Sequence, residues 1–184
     1  MNEQKNEIRK LEIGAGDRPA EGYEHLDFRE GPHIEIVAYA QSIPVEDETF
    51  DEVYSHWVFE HFAWREIIPL LLEWKRVLKP RGKVKIVTNN QEAHNRCWTE
   101  GKITWAEWVR LTYGIRFNKA PYEDLVPTLV DCHKIGFNKE LLEDFLQKAG
   151  FINIKINAGW QCREADGGIK CPGLVATGEK EGTK

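Results

Sequence analysis

The sequence predicts one α/β domain, residues 1–184, with a doubly wound, mainly parallel Rossmann-like sheet and helices on both faces. Short β-prone runs alternate with turns and amphipathic segments, which is typical of parallel sheets. A length of 184 residues with 41% hydrophobic residues suits one packed core. Residues 90–134 are too long for an ordinary connection, and they predict a helical insertion after the fifth strand.

Five strands are expected in the first half of the chain, at residues 10–13, 23–27, 34–38, 49–54 and 83–88. Only seven residues separate Gly16 from Glu24, too few for a normal crossover helix. The first connection is therefore predicted to be a compact turn, with one helical turn around residues 19–21.

Two helices follow from the spacing of apolar residues. The first spans residues 64–78, and Pro69 inside it predicts a new helical start or a kink. The second begins near Phe137, with Asn138 as its N-cap and Gly150 as its C-cap. Two closing strands are expected at residues 151–156 and 174–177.

Composition excludes some classes of function. The chain has 25 basic and 30 acidic residues, a net charge of −5, which argues against general nucleic-acid binding. No apolar run is long enough to span a bilayer and the first residues do not resemble a signal peptide, so a cytoplasmic location is expected. The four cysteines fit no zinc template, alone or with His133, and no metal site is expected.

A glycine turn and an acidic strand end point to a ligand. Gly14 and Gly16 follow an apolar strand, where bare backbone allows a tight turn and close approach. Asp27 ends the next strand and is suited to accept hydrogen bonds from ribose hydroxyls. The alternatives for Asp27 are a surface turn residue or a partner for Arg29. Together these features predict an adenosine-like ligand over the carboxyl ends of the first two strands.

The ligand is expected to lack phosphate. A dinucleotide-binding turn has a third glycine where this chain has Pro19, and a helix whose N-terminus faces pyrophosphate. That helix is nearly absent here, and no phosphate-binding Gly-Lys-Ser/Thr loop occurs in the sequence. S-adenosylmethionine contains an adenosine and an amino acid but no phosphate.

Five motifs, in order along the chain, resemble those of class I S-adenosylmethionine-dependent methyltransferases. They are residues 11–17, residues 25–27, the stretch from Ala40 through residues 50–56 to Glu60-His61, residues 76–82 and residues 148–151. The start also resembles a small bacterial subgroup, some of whose members are associated with cell-surface glycan genes.

The resemblance implies S-adenosylmethionine as cofactor. It implies that the binding residues are Glu12, Gly14, Ala15, Gly16, Asp17, Asp27, Ala40 and Gln41. Within that set, Glu12 or Asp17 holds the amino group, Asp27 the ribose, and Ala40 and Gln41 lie by the adenine. The family usually has an aspartate just before Ala40, whereas this chain has Tyr39, so an aromatic ring is expected to pack there.

Candidate catalytic groups follow the fourth strand. His56 is the first candidate for a general base, followed by His61 and Glu60. The alternatives are that His56 packs beside Trp57 and that Glu60 and His61 cap or pair around the next helix. No Asn/Asp-Pro-Pro motif follows this strand, which disfavours methylation of a nucleobase or glutamine amide nitrogen.

The insertion at residues 90–134 is predicted to cover the acceptor pocket and to set specificity. Its aromatic and polar residues suit a small, sugar-like acceptor: Trp98, Trp105, Trp108, Arg110, Tyr113, Arg116 and His133. An extra helical layer, with Trp105 and Trp108 on a buried face, is the alternative.

The function expected is methyl transfer to a small-molecule or glycan-type acceptor, with no prediction of oligomeric state. The alternatives are a catalytically weak or inactive methyltransferase-like binding protein and a nucleotide-dependent oxidoreductase. Cofactor binding without turnover favours the first of these, and binding of NADH favours the second.

Overall fold

A computed structural model of the chain describes residues 8–114, 132–162 and 171–182. Within these residues, seven strands form one sheet: β1 (Lys10–Ile13), β2 (Glu24–Asp27), β3 (Ile36–Val37), β4 (Phe50–His56), β5 (Leu78–Asn89), β6 (Phe151–Cys162) and β7 (Cys171–Lys180). Four α-helices of the described residues accompany them: α1 (Trp64–Val77), α2 (Gln91–Thr99), α3 (Trp105–Tyr113) and α4 (Lys139–Lys148).

The strand order is β3-β2-β1-β4-β5-β7-β6. Strands β1 to β5 pair in parallel, whereas β7 runs antiparallel to both β5 and β6. From β1 the chain builds outward first to β2 and β3, then returns to place β4 on the other side of β1. This reversal makes the carboxyl ends of β1 and β4 the switch point where open α/β sheets bind ligands. The predicted doubly wound, mainly parallel sheet is confirmed.

Helix α1 supplies much of the core. Its apolar side chains recur at helical spacing, and Ile67, Leu70, Leu71, Trp74 and Val77 are all buried. The helix continues through Pro69, so the predicted alternative of a new helical start is wrong. The fully buried Trp74 donates its indole N–H to the carbonyl oxygen of Ala40 at 3.0 Å, which ties the loop after β3 to the core.

The first connection contains turns and bends but no helix, so the helical turn expected at residues 19–21 is wrong. The Glu12 carboxylate holds this loop instead, because its Oε2 atom accepts a hydrogen bond from the Ala20 N–H at 2.6 Å. His25 also contacts the loop, with its Nε2 atom 3.0 Å from the Ala20 carbonyl oxygen. The Glu12 side chain on β1 thus holds the first connection in place, because this connection has no helical backbone hydrogen bonds of its own.

In its described part, residues 90–114 and 132–134, the insertion after β5 contains the two helices α2 and α3. Asn90 caps α2 by accepting from the Ala93 N–H, and Thr104 caps α3 by accepting from the Glu107 N–H. Helix α4 has the predicted cap, since Asn138 accepts from the Leu141 N–H at 2.9 Å. Gly150, with φ +76°, follows the last helical turn. Arg116 of the predicted lid lies outside the described residues.

Within the described residues, no helix combines the length and apolarity needed to cross a membrane.

Candidate active site

The glycine turn lies at the carboxyl end of β1. Gly14 and Gly16 have φ angles of +73° and +55°, which side-chain-bearing residues adopt only with strain. A Cβ atom on Gly14 would lie 2.3 Å from Cγ2 of Val58, whereas one on Gly16 would have no atom within 4 Å. Gly14 is therefore needed for packing, and Gly16 leaves open space above the backbone.

Asp27 joins this turn to the end of β2. Its carboxylate is 4% exposed, and its Oδ2 atom accepts from the Gly16 N–H at 3.1 Å. The Oδ1 atom accepts from the Arg29 N–H at 3.0 Å and from its Nε–H at 3.3 Å. Asp27 therefore does pair with Arg29, as one alternative held, but it is not a surface residue. It is a buried carboxylate beside the glycine turn at the switch point.

Glu12 is also buried, and burial raises its pKa above the ordinary glutamate value. The hydrogen bond from Ala20 and the nearby His25 and His33 act in the opposite direction. Asp17 is exposed in the same turn, while Ala15 is buried. The predicted role of Glu12 or Asp17 in holding an amino group stays a prediction, and the structure adds a loop-anchoring role for Glu12.

Two aromatic rings lie beside Asp27. Phe28 follows it directly, and its ring is parallel to that of Tyr39, at 6.3 Å between centroids and 6° between planes. Both rings are exposed, Tyr39 by 70%. Ala40 is buried next to this pair, and Gln41 is exposed. Packing of the Tyr39 ring at the adenine stays a prediction, and Phe28 is a second exposed ring beside it that the motifs did not indicate.

His56 ends β4 among aromatic neighbours. Its imidazole lies 6.1 Å from the ring of Tyr54 and 6.0 Å from that of Trp57, between ring centroids. Burial lowers the pKa of His56 to about 4, and the nearby Lys85 adds to the shift. At neutral pH the imidazole is uncharged, and its basicity is low for a general base.

Glu60 and His61 lie in a short 3-10 turn, Phe59–His61, just after β4. Glu60 is fully buried, and burial raises the pKa of its carboxyl to about 7. The Oε2 atom accepts from the Thr88 hydroxyl at 2.9 Å, at the end of β5. The Oε1 atom has no hydrogen-bond partner among the described residues. A buried carboxylate oxygen without a donor is costly, and such an atom calls for an explanation.

His133 comes from far along the sequence to face this carboxylate. Its Nε2 atom lies 3.9 Å from Glu60 Oε1, and its ring centroid lies 5.0 Å from that of His61. Burial and the adjacent His61 lower the pKa of His133 to about 4. An ion pair would raise that pKa and lower that of Glu60, so the two side chains are not a charged pair at neutral pH.

The aromatic side chains of the insertion form a cluster in which Trp98 and Trp105 are exposed and Trp108 is half-buried. The indole rings of Trp98, Trp105 and Trp108 lie 4.9–5.4 Å apart between centroids. No residue of α3 is buried, so the alternative of a buried face for Trp105 and Trp108 is wrong. Helix α3 connects to the polar cluster through His133, whose Nδ1 atom lies 3.1 Å from the Leu111 carbonyl oxygen.

An open depression of about 310 Å³ lies at the other end of the sheet, lined by Ile8, Arg9, Lys10, Gly22, Tyr23 and Glu24. These residues are at the amino ends of β1 and β2, away from the switch point. Ligands of open α/β sheets bind at the carboxyl ends, so this depression is not part of the candidate site.

Residues 19–86 match the family model described as a methyltransferase domain. A crystal structure of S-adenosylmethionine-dependent methyltransferases from Methanosarcina mazei is similar, with TM-score 0.64 and 16% identity over 95% of this chain and 93% of that one. A counterpart from Archaeoglobus fulgidus has TM-score 0.60 and 14% identity, covering 96% and 87%. The chain has the class I methyltransferase fold. The resemblance predicted from the motifs is therefore confirmed, while the bacterial subgroup stays a prediction.

Another similar fold is the 1,6-didemethyltoxoflavin-N1-methyltransferase of Burkholderia thailandensis, solved with bound 1,6-didemethyltoxoflavin and S-adenosylhomocysteine. It has TM-score 0.58 and 14% identity over 94% of this chain and 70% of that one. None of the curated proteins matches the chain. The methyltransferase fold is thus shared at low sequence identity, and the roles of individual residues rest on this chain's own geometry.

The sequence motifs identify the residues around the glycine turn, but they do not identify the residues that contact Glu60. His133 was expected in the lid, and Thr88 in a strand, with neither assigned to Glu60. The sequence does contain a signal for one of the two partners, because Thr88 is a polar residue at the carboxyl end of a central strand. Among the described residues, His133 is held beside Glu60 by backbone contacts distant in sequence, since the Lys134 N–H donates to the Glu60 carbonyl oxygen at 2.8 Å and the His133 N–H to that of Tyr113 at 3.1 Å.

Proposed function

We propose that the chain is an S-adenosylmethionine-dependent methyltransferase that acts on a small-molecule acceptor. The observation that carries this is the buried Asp27 carboxylate, joined to the N–H of Gly16 at the switch point of the sheet. A carboxylate there is suited to accept both ribose hydroxyls of a nucleoside. The open space above Gly16 and the absence of a helix after the turn suit a ligand without phosphates.

The exposed rings of Phe28 and Tyr39 take the adenine in this proposal. Tyr39 stands where the family usually has an aspartate, so stacking on a ring replaces a hydrogen bond to the adenine amino group. Ala40 and Gln41 follow on the same loop, which Trp74 anchors through the Ala40 carbonyl. The predicted adenine-side residues therefore share one anchored segment with the aromatic pair.

S-adenosylmethionine supplies a methyl group on a positively charged sulfur, and transfer is an in-line displacement in which the carbon–sulfur electron pair returns to sulfur. The protein's task is then to orient the acceptor, exclude water and receive the acceptor's proton. Among His56, His61 and Glu60, Glu60 has a pKa of about 7, which suits proton transfer at neutral pH. His56, with a pKa of about 4, suits it less well.

The acceptor side is proposed at the carboxyl ends of β4 and β5, where Glu60 faces His133. The exposed tryptophans of α2 and α3 support this, because indole rings stack on the apolar faces of sugars and other small ligands. His133 links α3 to Glu60, so the insertion and the polar cluster form one acceptor-side unit. We propose a sugar-like or other small hydroxylated acceptor.

Isothermal titration calorimetry with S-adenosylhomocysteine and, in parallel, NADH tests this function. We expect one S-adenosylhomocysteine bound per chain and no NADH. Binding of NADH instead would support an oxidoreductase. Cofactor binding with no methyl transfer to any member of a panel of hydroxylated acceptors would support a methyltransferase-like binding protein.

A further inference from the structure

We propose that Glu60, His61 and His133 bind a divalent transition-metal ion, for which two imidazoles and one carboxylate are a known ligand set. The three side chains each offer one ligand atom, and these atoms lie within 4.8 Å of one another. Two histidines and a glutamate hold zinc in one class of catalytic site, where a fourth position stays open. Use of the ion in methyl transfer rests on the proposed function, whereas the ion site itself does not.

The buried oxygen of Glu60 is the strongest observation for this site. Glu60 is 0% exposed, yet its Oε1 atom has no hydrogen-bond donor among the described residues and faces His133 Nε2 at 3.9 Å. That distance is too long for a hydrogen bond, so the pair does not satisfy itself. A cation between the two atoms would compensate a carboxylate that is otherwise buried at a cost.

Each of the three proposed ligand side chains also makes a hydrogen bond to a neighbouring group, as metal ligands in proteins usually do. His133 Nδ1 lies 3.1 Å from the Leu111 carbonyl oxygen, and His61 Nδ1 lies 3.3 Å from that of Cys132. Hydrogen bonds to those carbonyls require the proton on Nδ1, which leaves the lone pair on Nε2. The Thr88 hydroxyl orients the carboxylate by donating to Glu60 Oε2 at 2.9 Å. Such outer bonds fix the tautomer and direction of metal ligands.

The three ligand atoms need to move only a short distance toward one another to bind an ion. Donor atoms bonded to zinc at about 2.0–2.2 Å lie roughly 3.3 Å apart in a tetrahedral site. The Glu60–His133 pair at 3.9 Å and the outer limit of 4.8 Å require side-chain shifts of about 1 Å. Side-chain rotations supply shifts of that size.

Three protein ligands leave at least one coordination position open. The site lies at the carboxyl ends of β4 and β5, on the side where the acceptor is proposed. With the ion bound, Glu60 would be a ligand and not the group that receives the acceptor's proton. An acceptor hydroxyl in the open position would instead become more acidic, since a bound metal lowers the pKa of coordinated oxygen. The acceptor class would then be an alcohol or a diol.

The test begins with the ion alone. The full-length protein is treated with EDTA, dialysed, and titrated with Zn²⁺, Mn²⁺ and Mg²⁺ by calorimetry. We expect one Zn²⁺ per chain, weaker Mn²⁺ binding and little Mg²⁺ binding, because imidazole prefers the transition metals. Absence of saturable Zn²⁺ binding would overturn the proposal.

Graded variants show whether these residues are the ligands. Glu60→Gln and His133→Gln are expected to weaken Zn²⁺ binding about 100-fold or more, and Thr88→Val about 10-fold, as loss of an outer partner does. His56→Gln and Cys132→Ser are the controls for another histidine and for the thiol beside His133, and both should keep full affinity. Zn²⁺ binding that survives in Glu60→Gln and His133→Gln, or that is lost in Cys132→Ser, contradicts the assignment.

Thermal unfolding separates a lost ligand from a misfolded variant. In EDTA, Glu60→Gln should melt at the same temperature as the parent or higher, because it removes a buried charge. Only the parent should be stabilised by added Zn²⁺. Equal stabilisation of both proteins would overturn the site.

S-adenosylhomocysteine titrations of the same samples keep this proposal distinct from the proposed function. Cofactor binding without Zn²⁺ binding would overturn the metal site alone. Zn²⁺ binding lost with Glu60→Gln, in a protein that binds no cofactor, would leave the site standing and overturn the proposed function.

Discussion

The two sides of the candidate site are built differently. On the cofactor side, Gly16 and Asp27 lie eleven positions apart in sequence, and one hydrogen bond joins the turn after β1 to the end of the neighbouring parallel strand β2. On the acceptor side, Glu60 and His133 meet across a long separation, and their facing atoms are not hydrogen-bonded to each other. The hydrogen bonds of Asp27 come from residues close in sequence, whereas Glu60 Oε1 on the acceptor side is buried and has no donor among the residues that the structure describes.

This difference has an energetic meaning. Satisfied polar groups stabilise a fold, while buried unsatisfied ones reduce its stability and often mark a binding function. Substitutions on the cofactor side should therefore lower stability and cofactor affinity together. Substitutions on the acceptor side should change function with little loss of stability. The following predictions test that contrast.

The largest effect is expected at Gly14. Gly14→Ala places a Cβ atom 2.3 Å from Val58 Cγ2 at a φ of +73°, so strain and overpacking add. We expect the free energy of unfolding to fall by about 3 kcal/mol, measured by urea denaturation.

Gly16→Ala is the matched control, because it has a φ of +55° but no atom within 4 Å of the added Cβ. It should cost only about 1 kcal/mol in unfolding free energy. It should nevertheless weaken S-adenosylhomocysteine binding if the ligand approaches that backbone, as the proposed function requires. Equal destabilisation by the two substitutions would mean that the contact with Val58 is not decisive.

Asp27→Ala should weaken S-adenosylhomocysteine binding about thirty-fold, or about 2 kcal/mol, because it removes the acceptor of the ribose hydroxyls. Asp17→Ala, at an exposed position of the same turn, is the control and should change affinity far less. Calorimetry of both variants decides the matter. Unchanged affinity in Asp27→Ala would remove this residue from the site.

The difference between the two sides also explains which parts of the structure could be predicted from the sequence. The doubly wound, mainly parallel sheet, the glycine turn, Asp27 and the N-cap Asn138 follow from local patterns, and the structure has them, whereas the C-cap of α4 is Ala149 and the predicted Gly150 follows it. The length of β3 does not follow, since residues 34–38 read as a strand but only Ile36–Val37 pairs with β2. Pairing depends on the neighbouring strand as much as on propensity.

On the acceptor side, the position of one residue could not be predicted from the sequence. Glu60 and His61 were recognised as candidates because they follow β4, but the third member, His133, lies beyond α3. Its approach depends on the Leu111 carbonyl at the end of α3 and on the backbone of Tyr113. No local pattern encodes that return of the chain, so the cluster could not be predicted from spacing.

His56 gives a prediction of pH dependence. Burial keeps its folded-state pKa near 4, below the ordinary value of 6.5, with Lys85 and the rings of Tyr54 and Trp57 around it. The stability gained from the neutral form is present above pH 6.5 and is lost as pH falls toward 4. We expect His56→Gln to reduce the acid-induced loss of stability between pH 7 and pH 5 by about 1–2 kcal/mol.

Lys85→Met refines that prediction, because Lys85 is the second cause of the shift after burial. It should move the pKa of His56 only part of the way toward 6.5, as followed by the C2 proton resonance of the imidazole in NMR spectra. In turnover assays, an acid limb near pH 4 that disappears in His56→Gln would identify this residue as the base. Without such a change, Glu60 remains the better candidate.

The smallest effects on stability are expected at the exposed tryptophans. Trp98 and Trp105 are 39% and 58% exposed, so Trp98→Ala and Trp105→Ala should change the free energy of unfolding by roughly 0.5 kcal/mol or less. If their rings receive the acceptor, KM for a working acceptor should rise about three- to ten-fold, while S-adenosylhomocysteine affinity stays constant. Leu72→Ala, an exposed apolar side chain on α1, should change none of these quantities. If the two tryptophan variants lose stability without a change in KM, the insertion is an extra structural layer. The two sides of the site would then not differ in function as proposed.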